Sequence, residues 1–270
     1  MIRTLRCPLC HDALSLDDRV ACCPRGHSFD RAREGYFNLL PVQNKNSLDP
    51  GDDADMVAAR RDFLEAGHYA PFRETLAGLV SALRPGHLVD SGCGEGWYTA
   101  ALARSAQATT AFDISKSAMR RAAKRTADVT WLVASSNDIP LADHCADALL
   151  AIFSPLAAAE AARVLTSGGA LLVAAPGPQH LWELREALYE AVRPHQAEKW
   201  QEELQPHFLF HSEARVQFEI TLADNAAVNQ LLKMTPHYWR AARDRRTRVE
   251  SLPSLVTQAD FRILQFRRAP

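Results

Sequence analysis

Val89-Asp90-Ser91-Gly92-Cys93-Gly94-Glu95-Gly96 is the stretch on which the fold turns. An apolar run that begins at His87 reaches Asp90, glycines follow at 92, 94 and 96, and Trp97 opens a helical pattern. Glycines so placed let the backbone turn sharply out of a strand and approach a ligand without Cβ clashes. At the carboxyl edge of a parallel sheet, this is where a nucleotide-like cofactor binds.

Outward from that loop, the pattern alternates between strands and helices. Strands are predicted at 87–90, 109–113, 129–134, 146–153 and 170–175, and helices at 97–104, 115–125, 157–165 and 181–192. Such alternation predicts an α/β fold with a parallel, doubly wound sheet. Upstream, helical spacing at 56–66 ends at Gly67, and a second helix is expected at 71–83. The tail reads as a strand at 215–222, a helix at 225–233 and a last strand at 261–266. Residues 43–55 are polar, with Asp49-Pro50-Gly51-Asp52 as a turn, and read as a linker. The expected organisation is a zinc-binding module at 1–42, linker and covering helices at 43–84, and the cofactor-binding domain at 85–270.

The small first module rests on cysteines. Cys7-Pro8-Leu9-Cys10 is followed, after twelve residues, by Cys23-Pro24-Arg25-Gly26-His27. Two thiolates one short turn apart face a Cys/His pair from the far side of a hairpin. Zn²⁺ takes this ligand type, and four protein ligands leave no open position, so the site is structural. Cys7, Cys10, Cys23 and His27 are the expected ligands, with Cys22 a rival for the third place. The aromatic and basic residues that follow (Phe29, Arg31, Arg33, Tyr36, Phe37) either cover the metal or touch nucleic acid.

In the larger domain, Asp113 ends the second strand, where a carboxylate can accept hydrogen bonds from both hydroxyls of a ribose. An acid such as Asp90 at the head of the loop would repel a pyrophosphate. It suits the amino acid end of S-adenosylmethionine. Ser135-Ser136-Asn137-Asp138 after the third strand offers polar side chains for an adenine edge, or simply forms a turn.

Composition narrows the class. The chain has 270 residues, 47% apolar and 23% charged, with Lys+Arg 31 against Asp+Glu 32. No overall basic field draws it to nucleic acid, so an RNA partner would be held by local patches. Its longest apolar run is too short for a membrane helix. Arg3 and Arg6 lead into cysteines and acids rather than an apolar signal core, so a cytoplasmic protein is expected.

Asp90 to Gly96, Asp113, the turn at 135–140 and Arg163-Val164-Leu165-Thr166-Ser167-Gly168-Gly169 resemble the motif series of class I S-adenosylmethionine-dependent methyltransferases. From Cys7 to about Trp239 the chain resembles one branch more closely, the bacterial 23S rRNA guanine-N1 methyltransferases of the RlmA type. The cysteine cluster carries that likeness, together with Glu34-Gly35-Tyr36-Phe37-Asn38-Leu39-Leu40-Pro41, Asp49-Pro50-Gly51-Asp52, residues 59–69, Pro176-Gly177-Pro178-Gln179-His180-Leu181 and Met234-Thr235-Pro236. Two features depart from the branch: the doubled Cys22-Cys23, and an Arg-rich tail beyond Arg240 that matches nothing in it.

The resemblance implies methylation at N1 of a guanine in a 23S rRNA hairpin loop, with the 745-type position favoured over the 748-type. It also implies S-adenosylmethionine and Zn²⁺ as cofactors, and a homodimer. Cofactor contacts are expected from Tyr69, Asp90, Gly92, Gly94, Glu95, Gly96, Trp97, Asp113, Asn137 and His180. The proton on N1 must leave, and Asp55, Asp138 and His180 are candidate acceptors. Ser154-Pro155 stands where many such enzymes present the acceptor base, without the usual aromatic partner. Thr235, His237, Tyr238 and Trp239 either stack a flipped base or belong to the core. Basic clusters at Arg60 and Arg61, at 116–125 and at 240–248 are candidate RNA contacts. The rival readings are a methyltransferase acting on a small molecule and a catalytically silent zinc-containing RNA-binding protein.

Overall fold

Four short strands organise the first 41 positions: β1 (Ser15–Leu16), β2 (Val20–Cys22), β3 (Ser28–Asp30) and β4 (Phe37–Asn38). In the computed structural model, the described residues are 5–41, 54–196 and 199–270; positions 43–53 of the linker, with their Asp49-Pro50-Gly51-Asp52 turn, lie outside them. β1, β2 and β3 form a small antiparallel sheet that presents the cysteine knuckles. β4 leaves this module and pairs in parallel with a strand of the main domain.

Two helices follow, α1 (Ala54–Glu65) and α2 (Ala70–Leu83). The expected stop at Gly67 is present, with a left-handed φ of 84° and its N–H donating to the Leu64 carbonyl. The alternating unit then runs β5 (His87–Ser91), α3 (Trp97–Leu102), β6 (Ala108–Asp113), α4 (Lys116–Ala122), β7 (Val129–Val133), β8 (Ala146–Ile152), α5 (Ala158–Val164) and β9 (Leu165–Pro176). The tail adds α6 (Trp182–Leu188), α7 (Lys199–Glu203), β10 (Phe208–Leu222), α8 (Asn225–Lys233), α9 (His237–Arg240), α10 (Arg243–Glu250) and β11 (Leu255–Arg268).

Among the described residues the main sheet has eight strands in the order β10-β11-β9-β8-β5-β6-β7-β4. Pairings from β4 to β9 are parallel, and β11 enters antiparallel between β9 and β10. The sheet is therefore mixed, where alternation alone predicted a parallel one. The two long tail strands exceed the predicted 215–222 and 261–266: β10 begins at Phe208, and β11 runs from Leu255 to Arg268. α10 escaped prediction: only Val249 of Arg-Asp-Arg-Arg-Thr-Arg-Val-Glu is buried, so no apolar period marks it.

Central strands bury both faces, which is why they read as nearly continuous apolar runs. Leu88, Leu150 and Leu172 point to one side, where Phe63, Leu76, Leu184 and Leu231 cover them. Val89, Leu149 and Leu171 point to the other, against Ala161 and Val164. Leu5, Cys7, Leu14 and Cys23 complete this second layer, so the cysteine module shares the sheet's core. No helix of the described residues is long and apolar enough to cross a membrane.

After β5 the chain steps to β6 and β7 on one side, then returns to place β8 on the other side of β5. That reversal opens a crevice outside the carboxyl ends of β5 and β8, where ligands bind in such sheets.

Candidate functional site

The crevice floor is the glycine loop. Gly92, Gly94 and Gly96 have φ of 71°, 56° and 76°, the left-handed region that side chains disfavour. A Cβ on Gly92 would lie 2.4 Å from the Ser154 Cβ, and one on Gly96 would lie 2.6 Å from the Trp131 ring. One on Gly94 would meet nothing within 4 Å, so there the backbone faces open space. The first and third glycines allow close packing, and the middle one leaves room for a ligand.

Two carboxylates frame the loop. Asp113 accepts the Gly94 N–H at 2.9 Å and the Ser115 N–H at 2.8 Å, tying the loop to the start of α4. A carboxylate is an acceptor for hydroxyl donors such as those of a ribose. Asp90 is buried, and its Oδ2 accepts the Thr99 hydroxyl at 2.6 Å. Its Oδ1 and the Ser91 hydroxyl have no hydrogen-bond partner among the described residues. Burial pushes Asp90 up to about 7, against the Thr99 bond, with the neighbouring Asp113 charge adding to the rise. A buried, half-satisfied acid beside an open glycine matches a cationic, hydrogen-bonding ligand such as the amino acid end of S-adenosylmethionine.

The remaining expected contacts divide. Trp97 is buried at the start of α3, with the Arg73 guanidinium 4.0 Å from its ring centroid. Glu95 faces Arg125, 3.1 Å away, and its backbone carbonyl accepts the Arg125 Nε–H. Asn137 is exposed on the turn after β7, its N–H donating to the Ser135 hydroxyl. Tyr69 and His180 come together across 6.2 Å, both against Phe261 of β11. The Tyr69 hydroxyl is buried without a hydrogen-bond partner among the described residues, and burial holds its phenol well above the usual range.

His180 Nδ1 accepts the Asp260 N–H, and burial brings its pKa down to about 3, so it is neutral. Of the other proton-acceptor candidates, Asp55 is exposed in the first turn of α1. Asp138 is held by Arg6 at 2.8 Å, bridging the turn to the cysteine module.

Sequence reasoning missed two features. Phe153, between β8 and Ser154, has φ of 54° and remains 42% exposed. Phe72, Phe261 and Tyr98 support its ring at 5.4, 5.3 and 6.4 Å. The Ser154 hydroxyl beside it donates to the Ser91 carbonyl at 2.7 Å, pinning this corner against the loop. The aromatic precedes Ser154-Pro155, where the sequence reading finds the usual aromatic partner missing. The second is Asp260, fully buried under Gly177. It accepts two bonds from Arg215 and one from the Gln179 N–H; these outweigh its burial and hold it below the usual carboxylate range. It thereby fixes the loop carrying His180. A lone acid in an apolar strand was the available signal.

At the far side of the second core layer, one ligand atom from each of Cys7, Cys10, Cys23 and His27 lies within 4.8 Å of the others. Three of the separations are Cys7 Sγ–His27 Nδ1 3.6 Å, Cys10 Sγ–Cys23 Sγ 3.6 Å and Cys23 Sγ–His27 Nδ1 3.4 Å. Tetrahedral Zn²⁺ bonded at its usual lengths requires edges of about 3.5–3.8 Å. The geometry fits zinc and selects Cys23 over Cys22.

Residues 5–48 match the family model described as "RlmA, N-terminal", and residues 89–173 match the one described as "Methyltransferase domain". A 23S rRNA (guanine(748)-N(1))-methyltransferase of Streptomyces fradiae is 38% identical over 94% of this chain and 93% of its own length. YxjB of Bacillus subtilis (strain 168), provisionally named a 23S rRNA (guanine-N(1)-)-methyltransferase, is 34% identical over 96% of this chain and 95% of its own. Among solved structures, the YcgJ protein of Bacillus subtilis overlaps 72% of this chain and 98% of its own, with TM-score 0.48 and 14% identity.

Proposed function

The chain belongs to the family of 23S rRNA (guanine-N1)-methyltransferases, and from that premise we propose that it methylates N1 of a guanine in a 23S rRNA hairpin loop. The observation that carries this reading is the meeting of two surfaces at one corner: an open, acid-framed glycine loop, and a strained, exposed Phe153 one residue from Ser154, which packs on Gly92. S-adenosylmethionine, when bound, supplies an already activated methyl group. What the residues must do is hold donor and acceptor in line, and such orientation contributes about 7–11 kcal/mol in favourable cases.

Asp113 and Gly94 hold the nucleoside end, Asp90 faces the amino acid end, and Tyr69 and His180 close the crevice from the β11 side. Phe153 presents a ring against which an unstacked guanine lies; base–aromatic stacking contributes about 1–3 kcal/mol. Burial keeps His180 neutral where it lines the crevice, and the N1 proton leaves to solvent water. Zinc holds the first module and takes no part in the chemistry.

Of the two guanine positions, the name of the Streptomyces fradiae relative favours 748, whereas the sequence alone had favoured 745; the reading adopts 748. It also includes a cytoplasmic homodimer, for which the open edge of β10, with exposed Leu209 and Phe210, offers a surface. The test incubates purified protein with S-adenosylmethionine and unmodified 23S rRNA, then digests the RNA for mass spectrometry. One N1-methylguanine mapped to the loop is expected. Phe153→Ala should lower methyl transfer roughly ten- to hundredfold, in line with a lost stacking partner, and leave cofactor affinity unchanged. Transfer at wild-type rate would remove Phe153 from the acceptor site, and methyl groups on other atoms or on no RNA would remove the function.

A further inference from the structure

The Arg-rich segment that follows Trp239 forms a distinct surface. From Trp239 to Arg248, inclusive, stand five arginines and one aspartate, in a chain whose formal net charge is only -1. Trp239 is 61% exposed, the most open large apolar side chain among the described residues. It is also braced. Tyr238 meets it edge-on at 5.0 Å, and Arg246 lies 4.8 Å from the Tyr238 ring and donates to the Tyr238 carbonyl. Arg245 reaches Glu190. Arg240, Arg243 and Arg248 are exposed and make no ion pair with a described carboxylate. Val249 is the one buried side chain of α10, and Asn225 and Asn229 of α8 donate to the Glu250 carbonyl at its end.

This surface adjoins the crevice. His237 Nδ1, two residues before Trp239, is hydrogen-bonded to the Tyr189 hydroxyl at 3.0 Å, and Tyr189 caps α6, the helix that follows His180. Arg60 of α1 donates to the Met234 carbonyl just ahead of α9.

We propose that Trp239, with Arg240, Arg243 and Arg248, is a docking surface for single-stranded RNA flanking the target guanine. A base stacks on the indole and the arginines take phosphates. An exposed aromatic among unpaired arginines is the chemistry that single-stranded nucleic acid requires. An anionic membrane would also meet the charge, but α10 has no apolar stripe to insert, since its one buried apolar residue faces the protein. The proposal rests on the rRNA reading above and adds where the RNA is held.

The test uses the full-length, zinc-loaded protein. The probes are a labelled 23S rRNA hairpin containing the target loop, a fully paired duplex of the same length, and phosphatidylserine vesicles. Trp239→Ala should weaken hairpin binding about tenfold, with Trp239→Phe restoring most of it, and should reduce the preference for hairpin over duplex. Arg240→Ala/Arg243→Ala/Arg248→Ala should flatten the slope of log affinity against log salt by about 2, at roughly 0.7 per lost phosphate contact. S-adenosylmethionine affinity and thermal midpoint should not change in either variant.

Wild-type hairpin affinity and salt slope in both variants, with the wild type still methylating its guanine, would overturn the surface and leave the function standing. A wild-type protein that neither binds nor methylates the hairpin would overturn both. Vesicle binding that depends on Trp239 while hairpin binding does not, or loss of RNA binding only through a change in molecular mass, would assign the patch to a membrane or to a second copy and overturn the proposal.

Discussion

At Gly92 and Gly94 the same added methyl group meets different surroundings. Both glycines are left-handed, so alanine costs about 1–2 kcal/mol of backbone strain at either position. Gly92→Ala also drives a Cβ into Ser154, and overpacking of that kind costs about 1–3 kcal/mol more. Gly94→Ala clashes with nothing, but its methyl projects into the crevice. Thermal melts and calorimetry should therefore show Gly92→Ala as the less stable protein, and Gly94→Ala as a nearly stable one that has lost cofactor affinity. Unchanged affinity in Gly94→Ala would place the cofactor elsewhere. Asp90 adds a pH signature. Its folded pKa, about 7, lies above the ordinary carboxylate value, so the stability it contributes is present at low pH and lost as pH rises through about 7. A cationic ligand reverses that preference by favouring the carboxylate. Cofactor affinity should rise with pH up to about 7, with proton release, and Asp90→Asn should abolish the trend; a flat wild-type profile would contradict the assignment. The loop and both acids were legible in the sequence because their signal is local. Phe153, Asp260 and the Tyr69–His180 pairing were not, because each acquires its meaning from β11, far along the chain.

Among elements, the alternation of β5 through β9 was legible because strands buried on both faces cannot avoid continuous apolar runs. The join between the cysteine module and the sheet was not. β4 has only two residues, and the Leu5–Leu141 bridge and the Arg6–Asp138 pair connect segments more than 130 positions apart. In this join Asp138 anchors the turn beside Asn137 to the cysteine-bearing end of the chain, while the Arg6 N–H donates to the Pro140 carbonyl. The pair is partly exposed, so it is worth about 1 kcal/mol or less. In a double-mutant cycle, Arg6→Ala and Asp138→Ala should each lower stability slightly, and together no more than either alone. Hydrogen exchange should quicken at 135–141, with zinc content unchanged. Additive losses, or exchange that stays slow, would mean that the pair does not hold the turn.

For the whole molecule, the near-zero net charge conceals a division of labour. Zinc staples the first module, whose Leu5 and Leu14 finish the second core layer, and the crevice opens at the switch between β5 and β8. Exposed arginines follow Trp239 on and ahead of α10. Family, cofactors and the mixed α/β architecture follow from the first two features, which sequence motifs carry. The third depends on exposure, which a charge run does not reveal. The account's central claim is that this architecture places a methyl group on the Watson–Crick edge of one guanine. Reverse transcriptase cannot pass such a base, so primer extension across the 23S rRNA hairpin is the direct measurement. Extracts from cells that express the protein should give a single strong stop at that guanine, absent when the gene is deleted and restored by the wild type but not by Asp113→Ala. Identical traces from expressing and deleted cells would contradict the claim.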